Sequence, residues 1–122
     1  MISLPEGHRF HFYRPPCDMR KSFNGLIGIV QNEMGRKLDE RSWFIFVNKK
    51  RDKVKLLYFC GDGFWIYYKQ LAEGTFGLPE GEGYQISRKS LLLLLEGVDL
   101  KGAKFRKRYS PKRSGEKAQE QS

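Results

Sequence analysis

The chain has 122 residues, 39% apolar and 14% aromatic, which suits one domain with its own core and argues against global disorder. Twenty-three Lys and Arg against fourteen Asp and Glu give a formal charge of +9, a balance that favours polyanionic partners. No apolar run, Leu91–Leu95 included, is long enough to span a bilayer, and the N-terminus lacks a basic segment leading into an apolar one. The expectation is therefore a cytoplasmic protein with Cys17 and Cys60 as reduced, buried thiols.

The first segment, 1–8, reads as an entry loop. Arg9–Tyr13 alternates, with Phe10 and Phe12 on one side and His11 and Tyr13 on the other. This is a short strand that Pro15-Pro16 stops. Met19, Phe23, Leu26, Ile27, Val30 and Met34 then fall on one stripe at helical spacing, predicting a long helix over 18–34. Asp18 would cap its N-terminus and Gly35 would close its end. Gly25 and Gly28 would mark the approach of another backbone.

Three aromatic-rich runs follow between Ser42 and Lys69, separated by Asn48–Lys53 and by Gly61-Asp62-Gly63. Links this short force neighbouring strands to be antiparallel. In the first run Trp43, Ile45 and Val47 face one way, with Phe44 and Phe46 opposite. In the second, Val54, Leu56, Tyr58 and Cys60 oppose Lys55, Leu57 and Phe59, and in the third Phe64, Ile66 and Tyr68 oppose Trp65, Tyr67 and Lys69. Neither face is polar, so the sheet is expected to be covered on both. Leu71–Gly83 reads as turns around a short strand at Thr75-Phe76, and Tyr84–Ile86 as an edge strand. Ser87 caps a short helix, Arg88–Glu96, that Gly97 ends.

The fold class expected is α+β: a small antiparallel sheet, built as a meander, packed against one long helix, plus a short C-terminal helix. Residues 1–100 form a single domain. Residues 101–122 form a basic tail, disordered when alone, with eight cations and two acids.

The chemistry points to binding. Lys49, Lys50, Arg51 and Lys53, with Lys55 adjacent, make a cationic hairpin tip, and Arg20 and Lys21 lie at the helix start. Lys104, Arg106, Lys107 and Arg108 alternate with Phe105 and Tyr109 in the tail, a composition suited to phosphates and stacked bases. These eleven cations are the candidate nucleic-acid contacts. The meander aromatics, Tyr58, Phe59, Trp65, Tyr67 and Tyr68, read as core or interface before base-stacking platforms. Leu91, Leu92, Leu94 and Leu95 wrap more than one helix face and are the candidate partner-binding set. His8, His11, Cys17 and Cys60 match no zinc-finger spacing, so no metal or cofactor is expected. No Ser-His-acid set, P-loop or clustered carboxylates stand out, so no catalytic residue is assigned.

Several stretches, in order, resemble one family. They are Cys17-Asp-Met-Arg-Lys-Ser-Phe-Asn-Gly-Leu26, Phe44-Ile-Phe-Val-Asn-Lys-Lys-Arg-Asp-Lys-Val-Lys-Leu-Leu-Tyr58, Gly63-Phe-Trp-Ile-Tyr-Tyr-Lys-Gln-Leu71, Glu73-Gly-Thr-Phe76 and Leu95-Glu-Gly-Val-Asp99. The family is the small accessory protein, Orf2 or TnpB, of insertion sequence sixty-six-type bacterial transposable elements. The resemblance spans residues 5–100, with Phe59-Cys60 standing where the family usually has Trp-Asp. It implies a non-catalytic component of DNA transposition working with a separate transposase subunit of the same element. Within that context the readings are a DNA-binding factor that uses the basic tip and tail, or a protein adaptor that docks on the transposase through its leucine-rich helix. Homo-oligomerisation and the choice between DNA and RNA stay open.

Overall fold

The computed structural model describes residues 4–96 and the backbone of 98–99 and 104–105. The elements run β1 (Arg9–Phe12), α1 (Phe23–Gly28) continuing as a π-helical turn (Ile29–Glu33), β2 (Ser42–Val47), β3 (Lys53–Phe59), β4 (Phe64–Gln70), β5 (Gln85–Ile86) and α2 (Arg88–Glu96). Two-residue strands β6 (Val98–Asp99) and β7 (Lys104–Phe105) pair antiparallel with each other.

The main sheet has five strands in the order β4-β3-β2-β1-β5. Its meander β2-β3-β4 is antiparallel, in the register Trp43↔Tyr58 and Tyr58↔Trp65. The fold class nevertheless differs from the expectation in two respects. First, the sheet is mixed, because β1 lies parallel to β2, with Phe10 opposite Trp43 and Phe12 opposite Ile45. Short links dictate the direction of their strands, whereas the connection from β1 to β2 is long enough for a parallel crossover. Second, no long helix packs on the sheet. The helical segment is six α residues followed by five π residues, and α2 has nine.

The shortened helix has a local cause. Asp18 accepts hydrogen bonds from the Arg20 backbone N–H (2.9 Å) and from the Arg20 guanidinium, so it builds a turn on itself instead of capping a helix. The Lys21 N–H closes that turn on the Asp18 carbonyl. The Lys55 ammonium donates to the carbonyls of Met19 and Lys21, both at 2.8 Å, which removes acceptors that a helix from residue 18 would use. Ser22 is extended, and the first helical bond runs from the Leu26 N–H to the Ser22 carbonyl. At the other end Gly35 takes φ +64, and the Arg36 N–H reaches back to the Val30 carbonyl, the closing geometry expected of that glycine. Among the described residues the nearest neighbours of a Cβ placed on Gly25 or Gly28 are side-chain atoms, of Lys21 and Asn32 respectively, and not the backbone expected there.

Both sheet faces are covered. On one, Phe10, Phe12, Trp43, Ile45, Val47, Val54 and Leu56 pack with Phe76, Ile86, Leu91 and Leu94. On the other, Phe44, Phe46 and Leu57 pack with Tyr13, Cys17, Leu26, Ile29, Val30 and Met34. Period-two alternation along each strand supplies one hydrophobic set to each layer. Thr75-Phe76 is not a strand. The Phe76 N–H instead bonds the Arg51 carbonyl, and its ring is buried in the first cluster.

Candidate nucleic-acid interface

The link between β2 and β3 is held by its own polar side chains. Asn48 Oδ1 accepts from the N–H groups of Asp52 (3.0 Å) and Lys53 (2.9 Å), while its Nδ2 donates to Asp52 Oδ1 (2.7 Å). The Arg51 N–H bonds the Asn48 carbonyl, and Arg51 sits at φ +61, a left-handed conformation that costs a non-glycine residue about 1 kcal/mol. The tip is therefore an ordered platform. Asn48 and Asp52 organise the tip, and charge counting passes over them; the available signal was an amide opening a link with a carboxylate four residues on.

Beside this platform runs an open groove of about 520 Å³, lined by Cys17, Asp18, Met19, Arg20, Asn48, Lys49, Lys50, Lys53 and Tyr68. The lining carries four cations against the single carboxylate of Asp18. The Arg20 guanidinium beside Asp18 holds that carboxyl well below the usual range, at about 2, so the carboxylate stays charged and partly offsets Arg20. Lys53 lies 3.6 Å from Asp52. Tyr68 stands on β4 in register with Lys55, whose ammonium lies 4.8 Å from the ring centroid.

The structure thus brings together Arg20, Lys49, Lys50 and Lys53. Arg51 lines a second cleft of about 300 Å³ across the tip with Phe12, Arg14, Pro16, Val47 and Leu78, and Lys49 borders both. Arg14 is committed elsewhere, donating to the carbonyls of Gly83, Pro79 and Glu80. Lys21 is exposed at the helix start. Lys55 is buried, 7% exposed, and spends its donors on Met19 and Lys21, which makes it a strut beneath the groove. Lys104 is described by its backbone in β7 alone, and Arg106, Lys107 and Arg108 lie outside the described residues.

The leucine set divides. Leu91 and Leu94 are fully buried in the core, and Leu92 and Leu95 pack half-buried against the same cluster. Cys17 is buried, whereas Cys60 is half-buried, its thiol 3.3 Å from Asp62 Oδ1. Trp43 Nε1 donates to His8 Nδ1 at 3.1 Å, and among the described residues no three His, Cys, Asp or Glu side chains converge as metal ligands. No described helix is long and apolar enough to cross a membrane.

Comparison with known proteins decides the context of this groove. The family model described as IS66 Orf2 like protein matches residues 8–105, most of the chain. The chain belongs to the IS66 Orf2-like family. Membership assigns this Orf2-like protein an accessory role in transposition of IS66-type elements. It is 28% identical over 101 residues to the uncharacterized protein y4jC of Sinorhizobium fredii, covering 81% of the Orf2-like chain and 86% of that relative. No solved structure matches it. The tip and groove residues 17–20, 48–53 and 68 all fall inside the family match.

Proposed function

We propose that the protein is a non-catalytic accessory factor that binds DNA through the cationic groove beside the β2–β3 link, with its transposase acting alongside it. The observation that carries this reading is the meeting of Arg20, Lys49, Lys50 and Lys53 from two distant chain segments in one groove. Four cations against one carboxylate suit a phosphate backbone, whose binding releases counterions. Lys21 and Arg51 extend the attraction from outside the groove lining, and the 101–122 segment adds eight cations to the charge of the chain. The burial of Leu91 and Leu94 weighs against an adaptor that docks through that helix, because their side chains are already spent on the core.

Fluorescence anisotropy with element-end DNA over a salt series tests the reading. Lys49→Ala/Lys50→Ala should weaken binding and reduce the salt slope by about one for each cation removed. Wild-type affinity and slope in that variant would overturn the role of the groove.

A further inference from the structure

Resting on the DNA-binding reading, we propose that the groove takes an unpaired strand, with one base stacked on Tyr68 and the flanking phosphates on Arg20, Lys49, Lys50 and Lys53. Tyr68 is 53% exposed, one of three large hydrophobic side chains left open among the described residues. It lines the groove that the cations line. Its ring is a held platform: the Lys55 ammonium sits over it, and that ammonium is fixed by the carbonyls of Met19 and Lys21. A cation on one ring face leaves the other as the place for a flat ligand.

Ligand class follows from what a duplex can offer. Paired bases hide their faces in the helical stack, so a phosphate-lined duplex presents nothing for an aromatic face to cover. A single strand offers both a phosphate and an open base at each step, and an aromatic ring among cations is the arrangement that receives them. The position of Tyr68 on β4, the edge strand of the sheet, leaves room for a strand to run past the ring without displacing another element of the main sheet. The chain's own 101–122 segment has the same sign of charge as the groove, so it does not neutralise the cations there.

Anisotropy at one moderate salt concentration tests this with three probes: a labelled single-stranded oligonucleotide, its duplex, and a single strand of abasic sites. The full-length protein should bind the single strand more tightly than the duplex, and lose affinity for the abasic strand. Tyr68→Ala should weaken single-strand binding by about tenfold, while Tyr68→Phe retains it. On the abasic strand Tyr68→Ala should match wild type. Equal affinity of wild type for the normal and abasic strands overturns the proposal without requiring any variant to fold. So does a duplex preference, or unchanged single-strand binding by Tyr68→Ala while Lys49→Ala/Lys50→Ala binds weakly; in those cases DNA binding itself survives. Absence of binding to all three probes overturns both readings.

Discussion

The ammonium group of Lys55 donates a 2.8 Å hydrogen bond to the carbonyl of Lys21, across 34 positions of sequence. With its second bond to Met19, this contact fastens the turn before α1 to β3 and fixes one wall of the cationic groove. Lys55→Met keeps the stem and removes the donors, leaving two carbonyls without their partner. It should cost about 2 kcal/mol, read as a lower urea midpoint at an unchanged m-value. The loss should accompany faster hydrogen exchange in residues 19–23.

Two substitutions in the β2–β3 link should separate support from contact. Asn48→Ala removes three hydrogen bonds that organise the link and should destabilise by about 1–3 kcal/mol. Arg51→Gly relieves a left-handed backbone, so stability should be unchanged or rise by up to about 1 kcal/mol. The same Arg51→Gly protein should bind DNA with a salt slope smaller by about one if Arg51 also approaches phosphate. Thermal melts and anisotropy on one preparation check both outcomes.

Asp18 is the carboxylate that tempers the groove. Asp18→Asn removes a negative charge and releases the Arg20 guanidinium from its pair. Affinity for a polyanion should rise several-fold at low salt and converge on wild type as screening grows. Titration of labelled DNA at two ionic strengths reads the difference.

His11 predicts an acid limb in stability. Its imidazole is 2% exposed, stacks 5.0 Å from Phe44, and leaves Nδ1 without a hydrogen-bond partner among the described residues. Burial above all, then the charges of Arg36 and Arg9, lower its pKa from 6.5 to about 4, with Asp39 opposing. The unfolded chain therefore takes up the proton first, so stability is lost as pH falls from 6.5 towards 4 and levels below that for this group. The full effect is up to about 3 kcal/mol. His11→Leu should flatten this window, measured as urea midpoints against pH.

Leu91→Ala or Leu94→Ala should destabilise the fold by about 2–5 kcal/mol, because each side chain is wholly within the core. Leu93→Ala, at a position outside that core cluster, should cost less. Chemical denaturation of the three variants gives the ranking.

Much of the sheet was legible because its information is local. Alternation assigned Trp43, Ile45 and Val47 to one face and Phe44 and Phe46 to the other, and the short links between β2, β3 and β4 set their antiparallel sense. The α2 span, Arg88–Glu96, was equally readable from Ser87 and the leucines. The beginning of α1 was not. A helical stripe through Met19 says nothing of an ammonium arriving from β3, and Lys55 on that strand looked like one more tip cation. The parallel placement of β1 was likewise hidden, since a long connection is compatible with either strand direction.

The sequence by itself determined the excess of positive charge, the meander, the facing of its side chains and the family resemblance. Each is carried by residue order, strand periodicity or short links. Tertiary structure alone decided which cations lie together. It joined Arg20 to Lys49, Lys50 and Lys53 in one groove, turned Arg51 to another cleft, and buried Lys55 beneath Tyr68. Charge is counted along a chain, but a phosphate meets only the charges that folding places on one surface.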